Sequence, residues 1–331
     1  MEVAQHIIIT TRPDSTVFAV SELQKYDSGI RPVKTLGEGI RLIFLPGGYE
    51  RLIYDAPMLL FTRHLFPVHW QGAGADFCLD VLNIQHSGDF SVQARGNINQ
   101  KIIQAAETNL QARGFIKNDK TPVWVLSLYA HEEILYAGIS HTKDNRSAWN
   151  GGTHRFSKTT DENFISRAEF KLMEAFDVFG ITPPVDTNNP RHALDLGAAP
   201  GGWSKVLLEK GFHVTAVDPG ALDPRLTHPK LTHISATAQR FFAAQNEKNR
   251  FDCLVNDMKI DPFDSARIML DAADCLKPTD FAIMTLKLTK NQGPAKINKI
   301  LLFLEKKYRV VNTRQLFHNR DEVTVYLTPV L

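Results

Sequence analysis

At 331 residues, 43% hydrophobic and 22% charged, the chain has the make-up of two folded domains, which excludes bulk disorder. Its three scattered cysteines, Cys78, Cys253 and Cys275, form no CxxC or Cys/His cluster; this argues against a disulfide framework or structural zinc and suits a reducing cytoplasm. The net charge is +2, no apolar run is long enough for a membrane span, and Met1 to His6 lacks the basic-then-apolar layout of a signal peptide, so a cytoplasmic location without membrane contact is expected.

In chain order, His6–Thr10 reads as a strand and Arg12–Ser15 as a turn. A helix over Thr16–Tyr26 follows, with Asp14 or Ser15 as its cap. A second strand, Ile40–Leu45, closes on Pro46-Gly47-Gly48, and residues 50–65 read as helical. The pattern then predicts strands at Phe77–Ile84 and Phe90–Arg95, a helix at Ile98–Arg113, and a hairpin of Val123–Tyr129 with Glu133–Ser140. Residues 1–142 are thus an α+β module, and the polar, Gly-rich stretch 143–163 reads as a linker or a partner-binding loop.

From residue 164 the pattern alternates. A helix at 165–179 precedes a Pro/Asn-rich loop at 182–190. Strands are predicted at His192–Leu196, His213–Val217, Leu231–Ile234, Cys253–Val255 and Phe281–Leu286. Helices are predicted at Trp203–Lys210, Gln239–Gln245, Ser265–Leu276 and Ala295–Tyr308. Such alternation implies a mostly parallel sheet covered by helices on both faces, with the last two strands, Val310–Phe317 and Glu322–Thr328, as an antiparallel hairpin at one edge.

The most informative segment is Asp195-Leu196-Gly197-Ala198-Ala199-Pro200-Gly201-Gly202-Trp203, a strand running through a glycine loop into a helix. Glycines let backbone approach a ligand, and the helix start offers free N–H groups. A dinucleotide loop would read GxGxxG, but Ala199 stands two after Gly197 and Pro200 removes a donor where a phosphate would want one. The next strand ends in Asp218, a carboxylate placed to hold both hydroxyls of a ribose. The pair points to a nucleoside ligand. Taken alone, Asp218 could equally be a turn residue.

These motifs, DLGAAPGGW followed by AVDPG, resemble the FtsJ-like (RrmJ-type) branch of the S-adenosylmethionine-dependent methyltransferases, which methylate RNA ribose 2′-hydroxyls with a Lys-Asp-Lys-Glu tetrad. The resemblance implies a Rossmann-like α/β domain at 164–331. It supplies Lys171 from Ser166-Arg167-Ala168-Glu169-Phe170-Lys171-Leu172, Asp257 from Val255-Asn256-Asp257-Met258, Lys287 from Thr285-Leu286-Lys287-Leu288, and Glu322 from Arg320-Asp321-Glu322-Val323. It further implies S-adenosylmethionine at Ser166, Gly197, Ala199, Pro200, Gly201, Gly202, Trp203, Asp218, Thr237 and Asp257, and no metal. Thr237 stands where the family has an aspartate near the adenine.

Within that branch, the run from Arg314 to Val325, together with Asn256-Asp257-Met258 and Leu286-Lys287-Leu288, is most similar to the RlmM family, which methylates a cytidine ribose in 23S rRNA. That family also carries an N-terminal THUMP-like RNA-binding region. The resemblance therefore implies an α+β THUMP/ferredoxin-like RNA-binding region in front, made of an α+β subdomain at 1–65 and a THUMP-like RNA-binding module at 66–142, and a linker at 143–163. It is strong over 164–331 and only architectural over 1–142.

The residue types suit this chemistry. A ribose hydroxyl is a poor nucleophile at neutral pH, so a base must take its proton as it attacks the methyl group. The expected base is Lys287, its proton affinity lowered by a neighbouring ammonium and the cofactor's sulfonium. Lys171 is the neighbouring cation, and Asp257 and Glu322 orient the two lysines. Between 285 and 315 stand Lys287, Lys290, Lys296, Lys299, Lys306, Lys307, Arg309 and Arg314 against Glu305 alone, an asymmetry that suits phosphate contacts, Lys290 and Lys296 above all. A solvated helix face accounts equally for Lys299, Lys306 and Lys307. Trp149, His154, Arg155 and Phe156 suit stacking on unpaired bases, and pinning the linker to a domain is an equal reading for Trp149 and Phe156. The expectation is an RNA 2′-O-methyltransferase, with another RNA as substrate or a catalytically silent RNA-binding protein as the alternatives.

Overall fold

The computed structural model describes residues 4–82, 88–154, 164–182, 189–244, 248–288 and 293–330. The chain divides into two compact units, Met1–His154 and Arg155–Leu331. Among the described residues no helix is long and apolar enough to cross a membrane.

The first unit opens with β1 (His6–Thr10), α1 (Thr16–Tyr26), β2 (Arg31–Gly37), β3 (Ile40–Phe44), α2 (Gly48–Asp55) and β4 (His64–Pro67). Their sheet has the order β2-β3-β1-β4 with every pairing antiparallel, the ferredoxin-like arrangement of a β-α-β-β-α-β chain. A second sheet follows, from β5 (Trp70–Ala73), β6 (Asp89–Arg95), α3 (Gln100–Ala112), β7 (Ile116–Lys117), β8 (Trp124–His131) and β9 (Ile134–His141), in the order β5-β9-β8-β6-β7. Ala106 and Leu110 of α3 bury against Phe90, Leu126 and Leu128 of that sheet. Its opposite face gives Tyr129 and Tyr136 to a core shared with Ile8, Leu42 and Phe66 of the first.

Several expectations for this unit are corrected. The helix read over 50–65 stops at Asp55, because Ala56 takes a left-handed φ of 41° and a proline follows; the chain then runs as β4. Residues 79–82 are a 3-10 turn rather than the start of a Phe77–Ile84 strand, and the end of that predicted strand lies outside the described residues. Neither Asp14 nor Ser15 caps α1 with its side chain; Thr16 instead donates its hydroxyl to the Pro13 carbonyl at 2.9 Å. Residues 143–154 are no free linker. Arg146 donates to the Leu59 and Thr62 carbonyls, Gln93 to Ala148 O, and Asn150 to Ala94 O, so side-chain hydrogen bonds bind this stretch to the sheets. Trp149 sits 4.3 Å from the buried His154 ring, which favours the pinning role; Arg155 and Phe156 lie outside the described residues.

The second unit contains α4 (Ala168–Val178), β10 (His192–Leu196), α5 (Gly202–Glu209), β11 (His213–Val217), β12 (Leu231–Ile234), α6 (Ala238–Ala244), β13 (Phe251–Asn256), α7 (Pro262–Ala272), β14 (Leu276–Lys287), α8 (Pro294–Leu304), β15 (Tyr308–Arg314) and β16 (Glu322–Pro329). The sheet order is β12-β11-β10-β13-β14-β16-β15. Pairings from β12 to β14 are parallel, and β16 runs antiparallel to both its neighbours. Strand residues alternate between faces. Ala193, Cys253, Val255, Phe281 and Ile283 bury under α4 and α5, while Leu194, Leu254, Ala282 and Met284 between them are equally buried. The strand order reverses direction beside β10, and the crevice at the carboxyl ends of such strands is where α/β sheets bind ligands.

Candidate active site

Three of the four tetrad positions come to that crevice because they end parallel strands or start a neighbouring helix. Asp257 directly follows β13, Lys287 ends β14, and Lys171 lies in the first turn of α4. Glu322 arrives from the opposite direction: β16 is antiparallel to β14, and their register sets Glu322 directly opposite Lys287. The side chains close a ring of alternating charge. Lys171 Nζ lies 3.2 Å from Asp257 Oδ2 and 2.7 Å from Glu322 Oε1, and Lys287 Nζ lies 2.5 Å from Asp257 Oδ1 and bonds Glu322 Oε2.

Burial works against charge on both Lys171 and Asp257, yet the ring prevails. The carboxylates of Asp257 and Glu322 raise the pKa of Lys171 above the ordinary lysine value, and the two ammonium groups hold the Asp257 carboxyl below its ordinary range. Thr285, fully buried two residues before Lys287 on the same face of β14, joins the ring. Its hydroxyl donates to Asp257 Oδ1 at 2.6 Å and accepts from Lys287 Nζ at 2.7 Å. In the sequence Thr285 carries no motif of its own, and its i, i+2 relation to Lys287 is the one signal that points to it.

Two buried glutamates of α4 fix the surroundings. Glu169 accepts from the backbone N–H groups of Ile165 and Ser166 and pairs with Lys205 at 2.9 Å, which ties the start of α4 to α5. Glu174 accepts from Phe317 N, His318 N and His318 Nδ1, anchoring the loop that leads into Glu322.

At the glycine loop, Gly197 adopts φ 74°, and a Cβ there would stand 2.2 Å from Met258 Cγ. Asp218 braces the loop: Oδ2 accepts from Ala199 N at 3.2 Å and Oδ1 from Gly220 N at 2.7 Å. The Asp195 carboxyl behind it is completely buried, which pushes its pKa up to about 7, and accepts from Ser204 Oγ.

The residues present fit an adenosyl-type cofactor. A half-buried carboxylate ends β11, and among the described residues the buried Ser166 Oγ has no hydrogen-bond partner. A Cβ at Gly202 would stand 2.3 Å from that oxygen, so only glycine leaves it room. Two expected contacts change character. The Trp203 side chain is 3% exposed and donates Nε1–H to Ala168 O, so it is a core residue that offers a ligand only its backbone. Thr237 accepts from Arg240 N at 3.3 Å, as a helix cap does.

The residues of the basic tract differ in burial and in partners. Arg314 is 7% exposed, Lys307 pairs with Asp274, Lys306 lies over the Phe303 ring, and Lys296 reaches Asp261 at 3.5 Å. Lys299 and Arg309 are exposed, and Lys290 lies outside the described residues.

Comparison with known proteins gives this arrangement a context. Residues 164–321 match the model of the FtsJ-like methyltransferase family. Among curated relatives, "Ribosomal RNA large subunit methyltransferase M" of Sodalis glossinidius is 32% identical, over 69% of this chain and 63% of that protein. The proteins of the same name from Halorhodospira halophila and Pseudomonas entomophila are 33% and 27% identical, covering 60% and 85% of this chain and 56% and 84% of their own lengths. The aligned stretch thus spans less than two thirds of the first two relatives.

Proposed function

We propose that residues 164–321, which match the FtsJ-like methyltransferase model, form such a domain, and that the chain moves a methyl group from S-adenosylmethionine to a ribose 2′-hydroxyl of RNA, that of a cytidine in large-subunit ribosomal RNA. The observation that carries the reading is the closed Lys171–Asp257–Lys287–Glu322 ring at the carboxyl ends of β13 and β14. The relatives' names support ribosomal RNA as the substrate.

When bound, S-adenosylmethionine supplies the electrophilic methyl group and a sulfonium charge that disfavours a second ammonium nearby. Ser166, Asp218 and the backbone of Gly197 to Gly202 hold it. Lys287, once it has released a proton, takes the proton of the attacking 2′-hydroxyl. Lys171 stays charged between its two carboxylates and donates to the ribose oxygen as negative charge develops there. Asp257 and Glu322 keep both amines in place, and Thr285 fixes the face of Asp257 that Lys287 meets. Residues 1–154, with their ferredoxin-like and THUMP-like parts, capture the RNA.

The test is to incubate the full chain with methyl-labelled S-adenosylmethionine and either unmodified large-subunit rRNA or unmodified tRNA, digest the products to nucleosides and locate the label. Label in 2′-O-methylcytidine is the expected result. Label on a base overturns the ribose assignment, label in a different 2′-O-methylnucleoside overturns the cytidine, and transfer to tRNA alone overturns the ribosomal substrate.

A further inference from the structure

The ring accounts for the reacting oxygen but not for the space beside it. Lys171, Asp257, Lys287 and Glu322 line a cavity of about 1300 Å³. That is at or above the roughly 300–1,000 Å³ of an ordinary ligand pocket, which leaves room for more than a hydroxyl and a methyl group. The same cavity is lined by Phe170, Phe317 and His318. Phe170 directly precedes Lys171 on α4, and Phe317 and His318 lie in the loop that enters Glu322, so the backbone that places the ring also places these aromatics.

They form a continuous row. Phe164 stacks on Phe170 with centroids 5.2 Å apart, His318 lies 5.3 Å beyond Phe170, and Phe317 meets His318 edge-on at 5.1 Å. The row is fixed before any ligand arrives: Glu174, 2% exposed, accepts from His318 Nδ1 at 2.9 Å and from the backbone N–H groups of Phe317 and His318. Arg167, Lys259 and Arg320 line the cavity too, all three exposed; among the described residues no carboxylate forms an ion pair with any of them. A preset aromatic wall, three unpaired cations and a proton-transfer centre in one cavity match an unstacked nucleotide: π-face to the wall, phosphates to the cations, ribose to the ring.

We propose that this cavity takes a single unpaired nucleotide of the RNA, its base against the Phe170–His318–Phe317 row and its flanking phosphates toward Arg167, Lys259 and Arg320. The inference rests on the ribose-methylation reading and adds that the target must be single-stranded at the modified position. A ribose held in a duplex keeps its base inside the stack, where the wall cannot reach it.

The experiment uses the full chain, labelled S-adenosylmethionine and synthetic RNA oligonucleotides carrying the sequence that the enzyme methylates in the transcript. One oligonucleotide is intact and single-stranded, one is annealed to its complement, and one has an abasic ribose at the modified position. Stacking on an aromatic side chain predicts that the abasic and duplex substrates lose about tenfold or more in kcat/KM. His318→Leu and Phe170→Leu should lose a comparable factor on the intact strand and little further on the abasic one, while His318→Phe retains most of the rate. S-adenosylhomocysteine affinity, read by calorimetry, should stay unchanged throughout. Equal methylation by the wild-type protein of intact, abasic and duplex RNA overturns the stacking proposal and leaves the methyltransferase reading standing. The wild-type arms decide this even if a leucine variant misfolds. No methylation of any ribose, in transcript or oligonucleotide, overturns the underlying reading instead.

Discussion

Thr285 shows how much of the site depends on a group that carries no charge. Its buried hydroxyl bonds Asp257 and Lys287 at once, so it sets the geometry in which the carboxylate meets the amine. Thr285→Val keeps the shape and removes both bonds, leaving a charged donor and acceptor short of a partner at a cost of about 1–3 kcal/mol. We expect single-turnover methyl transfer to slow by roughly ten- to a hundredfold, with unchanged affinity for S-adenosylhomocysteine and recovery in Thr285→Ser. A Thr285→Val variant at the wild-type rate would remove the residue from the account. Asp195 gives a prediction of the opposite kind, in stability. Its carboxyl is pushed up to about 7 in the folded protein by burial, against an ordinary value near 3.8. The folded state therefore holds a proton that the unfolded chain releases, and stability falls as pH rises from about 4 to about 7. Asp195→Asn keeps an acceptor for Ser204 and removes this dependence. Relative to wild type, urea unfolding of the variant should gain on the order of 2 kcal/mol between pH 5.5 and pH 8. Parallel pH profiles for the two proteins would contradict the burial argument.

Among the elements, the α4 helix carries the most consequences: it contributes Lys171, the Ser166–Glu169 start and Glu174. Glu174→Ala strands three N–H donors, those of Phe317, His318 and the His318 ring. Loosening the loop ahead of Glu322 should lower transfer at least tenfold, by weakened placement of Glu322, while Asp218-dependent cofactor binding persists; calorimetry beside the transfer assay separates the two. Asp218→Ala should do the reverse and weaken S-adenosylhomocysteine by about tenfold or more, because it removes the strand-end carboxylate and the brace on Ala199 and Gly220. How legible these elements are in the sequence follows the same physics. The strands His192–Leu196 and His213–Val217 are readable to the residue, because buried parallel strands are short, mostly apolar runs bounded by turn signals. β2 hides behind its composition: Arg31-Pro32-Val33 is exposed and carries a proline, and only pairing with β3 makes the segment a strand. The tetrad is legible as four residues in order, whereas the closure of the ring depends on β16 pairing opposite β14, a long-range contact that no local pattern encodes.

On the scale of the whole molecule, two compact units divide at His154, and the second contains every tetrad residue and the glycine loop. A fragment beginning near Asp161 should fold and bind S-adenosylhomocysteine, since its sheet is covered by its own helices. It should lose most of its rate at limiting RNA and keep only weak, salt-sensitive RNA binding. A fragment as fast as the full chain under those conditions would deny the first unit a capture role. If the charged ring moves the proton of a ribose hydroxyl, Lys287→Ala in the full chain removes the group that accepts it. With saturating S-adenosylmethionine and rRNA, single-turnover formation of 2′-O-methylated nucleoside should fall by 10²–10⁴-fold, as removal of a general base requires, with S-adenosylhomocysteine affinity unchanged. A variant that retains more than about a tenth of the wild-type rate would show that Lys287 is not the base.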